Sequence, residues 1–204
     1  MVNDKLIDYM IIEKEKRIYW NYFLSLESDL ENLSRYIEFT NNNFQTYSIE
    51  LARMLLSVCS EIDVIAKLLC NREDPLKQAN NITDYCTILT DKIPVLCMLN
   101  VFLPKYGLKL TPWNNWQNQL TPDWWHGYNN VKHERNKNYE DANLQNILNS
   151  MSGLFLFLLY LYIDNSCLCK LYPTPKLFTL DDEYIDYRHE PAVFFSLPIK
   201  IPSL

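Results

Sequence analysis

The chain has 204 residues, of which 48% are hydrophobic and 22% charged, with a formal net charge of −6. That length holds one substantial core and rarely two, and the composition excludes general disorder. The acidic balance argues against a general polyanion binder, because phosphate affinity needs clustered Lys and Arg, but leaves room for a small basic site. Three glycines (Gly107, Gly127, Gly153) are too few for a turn-rich sandwich or a Gly-rich phosphate cradle, so helices are favoured.

Six cysteines occur without paired C-x-x-C spacing, and Met1-Val2-Asn3-Asp4-Lys5 opens no secretory signal. Reduced thiols in a cytoplasmic protein are expected. The lone Cys167–Cys169 pair and the three histidines (His126, His133, His189) single out no metal centre, and no cofactor is expected.

In chain order, the first element is a long amphipathic helix over about 14–39. Its inward seam is expected at Tyr19, Tyr22, Leu26, Leu30, Leu33 and Ile37, with Glu27, Asp29, Glu31 and Arg35 outside. Asn41-Asn42-Asn43 reads as a break. A second helix follows over about 48–70, with Ile49, Ala52, Leu55, Leu56, Cys59, Ile62, Ile65, Ala66 and Leu69 on a wide apolar face. Glu50, Arg53, Ser57, Ser60 and Glu61 form a polar stripe opposite. Pro75 ends it.

A less regular helical region spans about 82–102, interrupted near Pro94. Residues 104–120 read as a loop rich in aromatic and Asn residues, among them Trp113 and Trp116. Thr121-Pro122-Asp123 predicts a helix start with a hydroxyl cap, launching Trp124 to about Arg135. A final apolar helix runs over about 141–163. Its uncharged run is about half the ~20 residues a bilayer span requires, so it reads as a core helix and no membrane partner is expected.

Beyond Cys169, Pro173, Pro175, Pro191, Pro198 and Pro202 put half of the ten prolines in the tail. Leu177, Phe178, Val193, Phe194 and Phe195 make that tail too hydrophobic for a free linker. Together the elements predict an all-α fold: an up-and-down helical bundle of four to five main helices over 1–170. An extended Pro-rich C-terminal tail, 171–204, packs on the bundle or on a partner.

The run from Trp124 to Asn136 carries the most suggestive chemistry. Trp124, Trp125, Tyr128 and Val131 bring rings and apolar surface, and Asn129 and Asn136 bring amides. Lys132 and Arg135 bring cations, so the groups suit a phosphate or a base. His133 supplies a proton-exchanging group. Glu50 and Glu61 on the second helix are expected to orient Lys132, His133 or Arg135, with Arg53 beside them. The plainer reading makes Trp124, Tyr128 and Val131 core and the charges a solvated face. No G-x-S-x-G, H-E-x-x-H, P-loop or dinucleotide fingerprint is present.

One resemblance rests on these residues. A long helix is followed by Tyr47-Ser48-Ile49-Glu50-Leu51-Ala52-Arg53, then Cys59-Ser60-Glu61-Ile62-Asp63 and Lys67. A later Trp125…Tyr128-Asn129-x-Val131-Lys132-His133-x-Arg135 precedes an apolar terminal helix. This order resembles HEPN-like proteins over about residues 15–165. The resemblance implies a helical bundle that often dimerises and a role in bacterial conflict systems, as a toxin–antitoxin or phage-defence component with a cognate antitoxin or defence partner.

Active members of that superfamily are metal-independent ribonucleases. They carry an Arg, then a polar residue, with a His about four to six positions after the Arg. Here Asn136 follows Arg135, but no Arg is followed by a His at that distance. His133 precedes Arg135 by two positions, which on a helix separates the side chains by about 160°. Any cleavage is therefore noncanonical and would centre on Lys132, His133 and Arg135. Glu50, Arg53, Glu61, Trp125, Tyr128, Asn129 and Asn136 would bind or orient. Two alternatives stand beside RNA binding. One is a non-enzymatic interaction module using the aromatic loop and tail. The other is a nucleotide-sensing pocket between the second helix and the Trp124–Arg135 helix.

Overall fold

The computed structural model describes residues 17–163, 168–186 and 193–197. Cys167, His189, Pro191, Pro198, Pro202 and the first residues of the expected first helix lie outside them. The chain is mostly helical, with five α-helices among the described residues: α1 (Ile18–Leu33), α2 (Ile49–Glu73), α3 (Ile82–Lys92), α4 (Asp123–Glu134) and α5 (Leu144–Leu161).

The central pair is α2 and α5, which pack most extensively; α1 and α4 lie on α5, while α3 lies on α2. Every residue of α5 from Ser150 to Tyr160 is buried. By length and composition α5 could cross a membrane, yet 78% of it is enclosed by the rest of the chain. Its two buried serines turn their hydroxyls back onto the carbonyls of Ile147 and Leu148, at 3.0 and 2.8 Å. This satisfies polar groups that have no water to reach.

The second helix begins as its sequence predicts. Ser48 takes extended backbone geometry and its Oγ accepts the Leu51 N–H at 3.1 Å. Asn81 caps α3 in the same way, accepting from Thr83 and Asp84. At α4 the expectation is corrected by one residue. Pro122, not Thr121, stands at the cap and no side chain caps the helix; Asp123 opens the first turn.

The seam of α1 is rotated from the expected one. Trp20, Phe23, Leu26, Leu30 and Leu33 are buried, while Tyr22 is exposed. The cause is tertiary: Trp20 and Phe23 stack on each other, and Phe23 meets Phe155 of α5 and Phe178 of the tail. The same rotation buries Glu27, which the sequence places outside.

The segment read as a loop is partly a hairpin. Strands β1 (Val101–Leu103) and β2 (Leu108–Leu110) pair antiparallel, and Gly107 closes the turn at φ 62°, where a Cβ would be strained. Trp113 and Trp116 are then drawn inside. Trp113 stacks on Phe157 at 4.3 Å and donates its Nε1–H to the Gly153 carbonyl. The aromatic loop therefore fills this chain's own core and offers no ring platform to a partner.

The described residues of the tail pack on the bundle and on each other. Strands β3 (Leu168–Leu171), β5 (Val193–Ser196) and β4 (Ile185–Asp186) form an antiparallel sheet in that order. Thr179 and Phe102 exchange both backbone hydrogen bonds, at 2.9 and 3.0 Å, tying the tail to the hairpin. Leu177, Phe178, Leu180 and Phe195 are buried in the common core.

Candidate functional site

Helix α4 splits the suggestive run into two fates. Trp124, Trp125, Tyr128 and Val131 are buried, so the rings first assigned to ligand binding serve as packing. Trp124 donates its Nε1–H to the Pro112 carbonyl at 2.9 Å. The Trp125 ring lies 5.1 Å from that of Tyr128, and the Lys132 ammonium rests 5.3 Å from the Tyr128 ring centroid. Asn129 is half-buried.

The remaining groups gather at the C-terminal end of α4. Lys132, His133, Arg135 and Asn136 line an open groove of about 890 Å³. All four are exposed. Arg135 keeps helical geometry as the C-cap of α4, at φ −53° and ψ −32°, so its side chain diverges from that of His133 as on a continuous helix. A broad groove wrapping this helix end collects both side chains.

The floor and opposite wall come from Ile49, Ala52 and Leu56 of α2, with Val131 and Tyr139. Positions 49, 52 and 56 fall on one line of a helix at 100° per residue. The sequence places that line in the core. Ala52 is buried there, as are Leu55, Cys59, Ile62, Ile65, Ala66 and Leu69 of the expected face, but Ile49 is 80% exposed and Leu56 half-buried.

The polar stripe lies about 100° further round α2 and faces elsewhere. Glu50 pairs with Arg53, and Arg53 reaches Asp29 of α1 at 2.8 Å. These two carboxylates, Glu50 first, hold the Arg53 guanidinium firmly protonated. Neither Glu50 nor Glu61 lines the groove. Burial alone raises the Glu61 carboxyl above its ordinary value. The expected orienting role of Glu50, Arg53 and Glu61 is thus corrected: helical phase aims them at α1 or away, not at α4.

Among the described residues, the side chains of Lys132, His133 and Arg135 make no hydrogen bond or ion pair. Two nearby acids are engaged: Glu134 pairs with Lys137 at 2.7 Å, and Asp141 accepts from Asn130 at 2.8 Å. The residues that line the groove include two cations, Lys132 and Arg135, and no acid, above an apolar floor. Such a surface attracts an anionic group and offers a face for a flat or apolar one.

Ile49 and Tyr139 are the site residues that sequence reasoning missed. Ile49 matched the core periodicity, and only the position of α4 reveals that its line stays open. Comparison with known proteins brought no match to a family model, a curated protein or a solved structure.

Proposed function

We propose that this chain is a HEPN-like helical bundle that binds RNA at the α2–α4 groove, within a bacterial defence or stress system. One observation carries the binding: three exposed, unpaired groups, Lys132, His133 and Arg135, line one groove on a chain of net charge −6. Cations outside ion pairs, here Lys132 and Arg135, are free to take phosphates, and their number sets the electrostatic share of affinity. The order of elements supports the superfamily reading, from α2, entered through Tyr47 and the Ser48 cap, to the buried α5.

The same groove lies where a nucleotide-sensing pocket would lie, between α2 and α4. An RNA strand is favoured because the groove is open along its length and its polar groups, the Lys132 and Arg135 cations and the His133 imidazole, are spread rather than focused on one point. The role assigned to these three is binding. The Arg-then-His spacing of the active ribonucleases is missing, and Glu50 and Glu61, the carboxylates expected to orient them, do not line the groove.

The test is a titration of the full chain with labelled RNA oligonucleotides and, separately, with mononucleotides. RNA binding in the low-micromolar range at low salt is expected. A Lys132→Ala, His133→Ala, Arg135→Ala triple variant should lose it and stay folded, since all three side chains are exposed and none is in a hydrogen bond or ion pair; the Lys132 contact with the Tyr128 ring is worth only about 0.5–1 kcal/mol at an exposed site. Equal binding by the triple variant refutes the site, and tighter mononucleotide than oligonucleotide binding refutes the RNA assignment. RNA integrity in the same samples reads cleavage directly. A neighbouring gene for an antitoxin-like nucleotidyltransferase would support the defence role.

A further inference from the structure

We infer that Ile49 and Tyr139, backed by Tyr47, seat an unpaired base of the bound strand. This rests on the RNA reading above and adds which part of the strand is recognised.

The groove has two chemically distinct sides. Cations line the α4 end, while Ile49, Leu56 and Tyr139 present apolar surface. A ligand made only of phosphates would leave that surface wet. A duplex keeps its bases stacked inside and shows the protein mainly its backbone. A single strand supplies both parts at once: a phosphate for the cations and a base face for the shelf.

The shelf is held in place before any ligand arrives. Ile49 sits in the first turn of α2, immediately after the Ser48 cap. Tyr139 opens a short 3-10 turn, Tyr139–Asp141, and that turn is anchored at both ends. Asn138 donates to the Glu134 carbonyl at 3.2 Å, and Asn146 donates to the Asp141 carbonyl at 2.8 Å. The Tyr47 ring meets Tyr139 edge-on at 5.5 Å. Tyr47 is fixed by its bridge to Asn143, and Leu144 donates its N–H to the Thr46 carbonyl at 2.9 Å. A rigid, solvent-facing apolar surface beside unpaired cations is the arrangement a base-and-phosphate ligand requires. The Tyr139 hydroxyl is buried without a partner, so the ring, not the oxygen, makes the contact.

The experiment uses the full chain with three probes: a single-stranded oligoribonucleotide, the same strand annealed to its complement, and its abasic counterpart. The wild type should bind the intact strand at least about tenfold tighter than the abasic strand, the change expected for one base–side chain contact. Ile49→Ser should erase most of that preference while leaving abasic and duplex binding as they were. Ile49 is 80% exposed, so this variant should keep the wild-type melting temperature. Tyr139→Ala should act likewise, and Tyr139→Phe should bind as the wild type does. Equal wild-type binding of intact and abasic strands overturns the base-seating role while sparing the cationic groove. So does a loss in Ile49→Ser shared equally by all probes. Absence of binding to every probe overturns the RNA reading itself.

Discussion

Glu27 on α1 and Leu177 in the tail are joined by a hydrogen bond of 2.8 Å, from the Leu177 backbone N–H to the Glu27 carboxylate. The same oxygen accepts the Lys176 N–H at 2.9 Å. Glu27 is only 2% exposed, so the tail's attachment to the bundle runs through a buried carboxylate. Lys176 adds an ion pair to Glu31 at 3.0 Å, and Trp20 donates its Nε1–H to the Pro173 carbonyl at 2.9 Å.

Substitution at Glu27 should separate charge from acceptor. Glu27→Ala leaves two backbone N–H groups without a partner and is expected to cost about 1–3 kcal/mol for each buried donor stranded. Glu27→Gln keeps an oxygen for both donors and removes a desolvated charge, so its melting temperature should equal or exceed that of the wild type. Thermal denaturation of the two variants decides it; a Gln variant as unstable as the Ala variant would contradict the account.

Glu27 also predicts a pH dependence. Burial raises its carboxyl above the ordinary value, and the N–H bonds from Leu177 and Lys176 only partly offset this. Between the ordinary glutamate value, about 4.3, and the higher value in the fold, the folded state binds the extra proton. Its contribution to stability therefore falls as pH rises through that window and recovers on acidification. Comparing the wild type with Glu27→Gln across pH isolates this share. A difference that does not change sign or size with pH would remove it.

Gly153 lies under the indole of Trp113. A Cβ there would approach the Trp113 ring at 3.1 and 3.3 Å and Trp124 at 3.4 Å. Gly153→Ala should cost about 1–3 kcal/mol through overpacking, despite the better helix propensity of alanine. Near-UV circular dichroism, sensitive to the Trp113–Phe157 stack, should change with it. An Ala variant as stable as the wild type would mean the indole moves aside freely.

Cys59, Cys70, Cys86, Cys97 and Cys169 are free and buried. Burial raises the thiol of Cys86 to about 11 and that of Cys70 to about 12, and pushes Cys59 and Cys97 up as well. Thiolates are the reactive form. A thiol reagent at neutral pH should therefore modify none of these five until denaturant is added, as mass spectrometry of the labelled chain can show. Rapid native labelling of Cys70 or Cys86 would contradict their burial.

At the groove, Lys132→Ala with Arg135→Ala should lower the salt dependence of single-stranded RNA binding. Each lost phosphate contact removes about 0.7 from the slope of log affinity against log salt, so the double variant should lose about 1.4. Ile49→Ser should leave that slope as it is, which distinguishes the cationic wall from the apolar shelf.

The helices were legible because their determinants are local. Ser48 with the apolar run after it marks α2, and the uncharged stretch around Phe155 marks α5; both depend on spacing within a few turns. The sheet strands were less so. β4 has two residues, Ile185 and Asp186, too few for alternation to register. The closeness in sequence of Lys132, His133, Arg135 and Asn136 likewise marked one side of the groove.

By itself, then, the sequence determined the helical class, the core helices and the cationic run on α4. Tertiary structure decided where the inside face departs from the periodic one, on α1 and at Ile49 and Leu56 of α2. Periodicity defines a stripe but not its neighbour. Glu27 is buried because amides about 150 positions away arrive over it, and Ile49 is exposed because α4 stops short of covering it. The partnership expected between Glu50 and Arg135 fails for the same reason. A rotation of about 100° on one helix sends a side chain to a different neighbour, and that neighbour is set by packing across the whole chain.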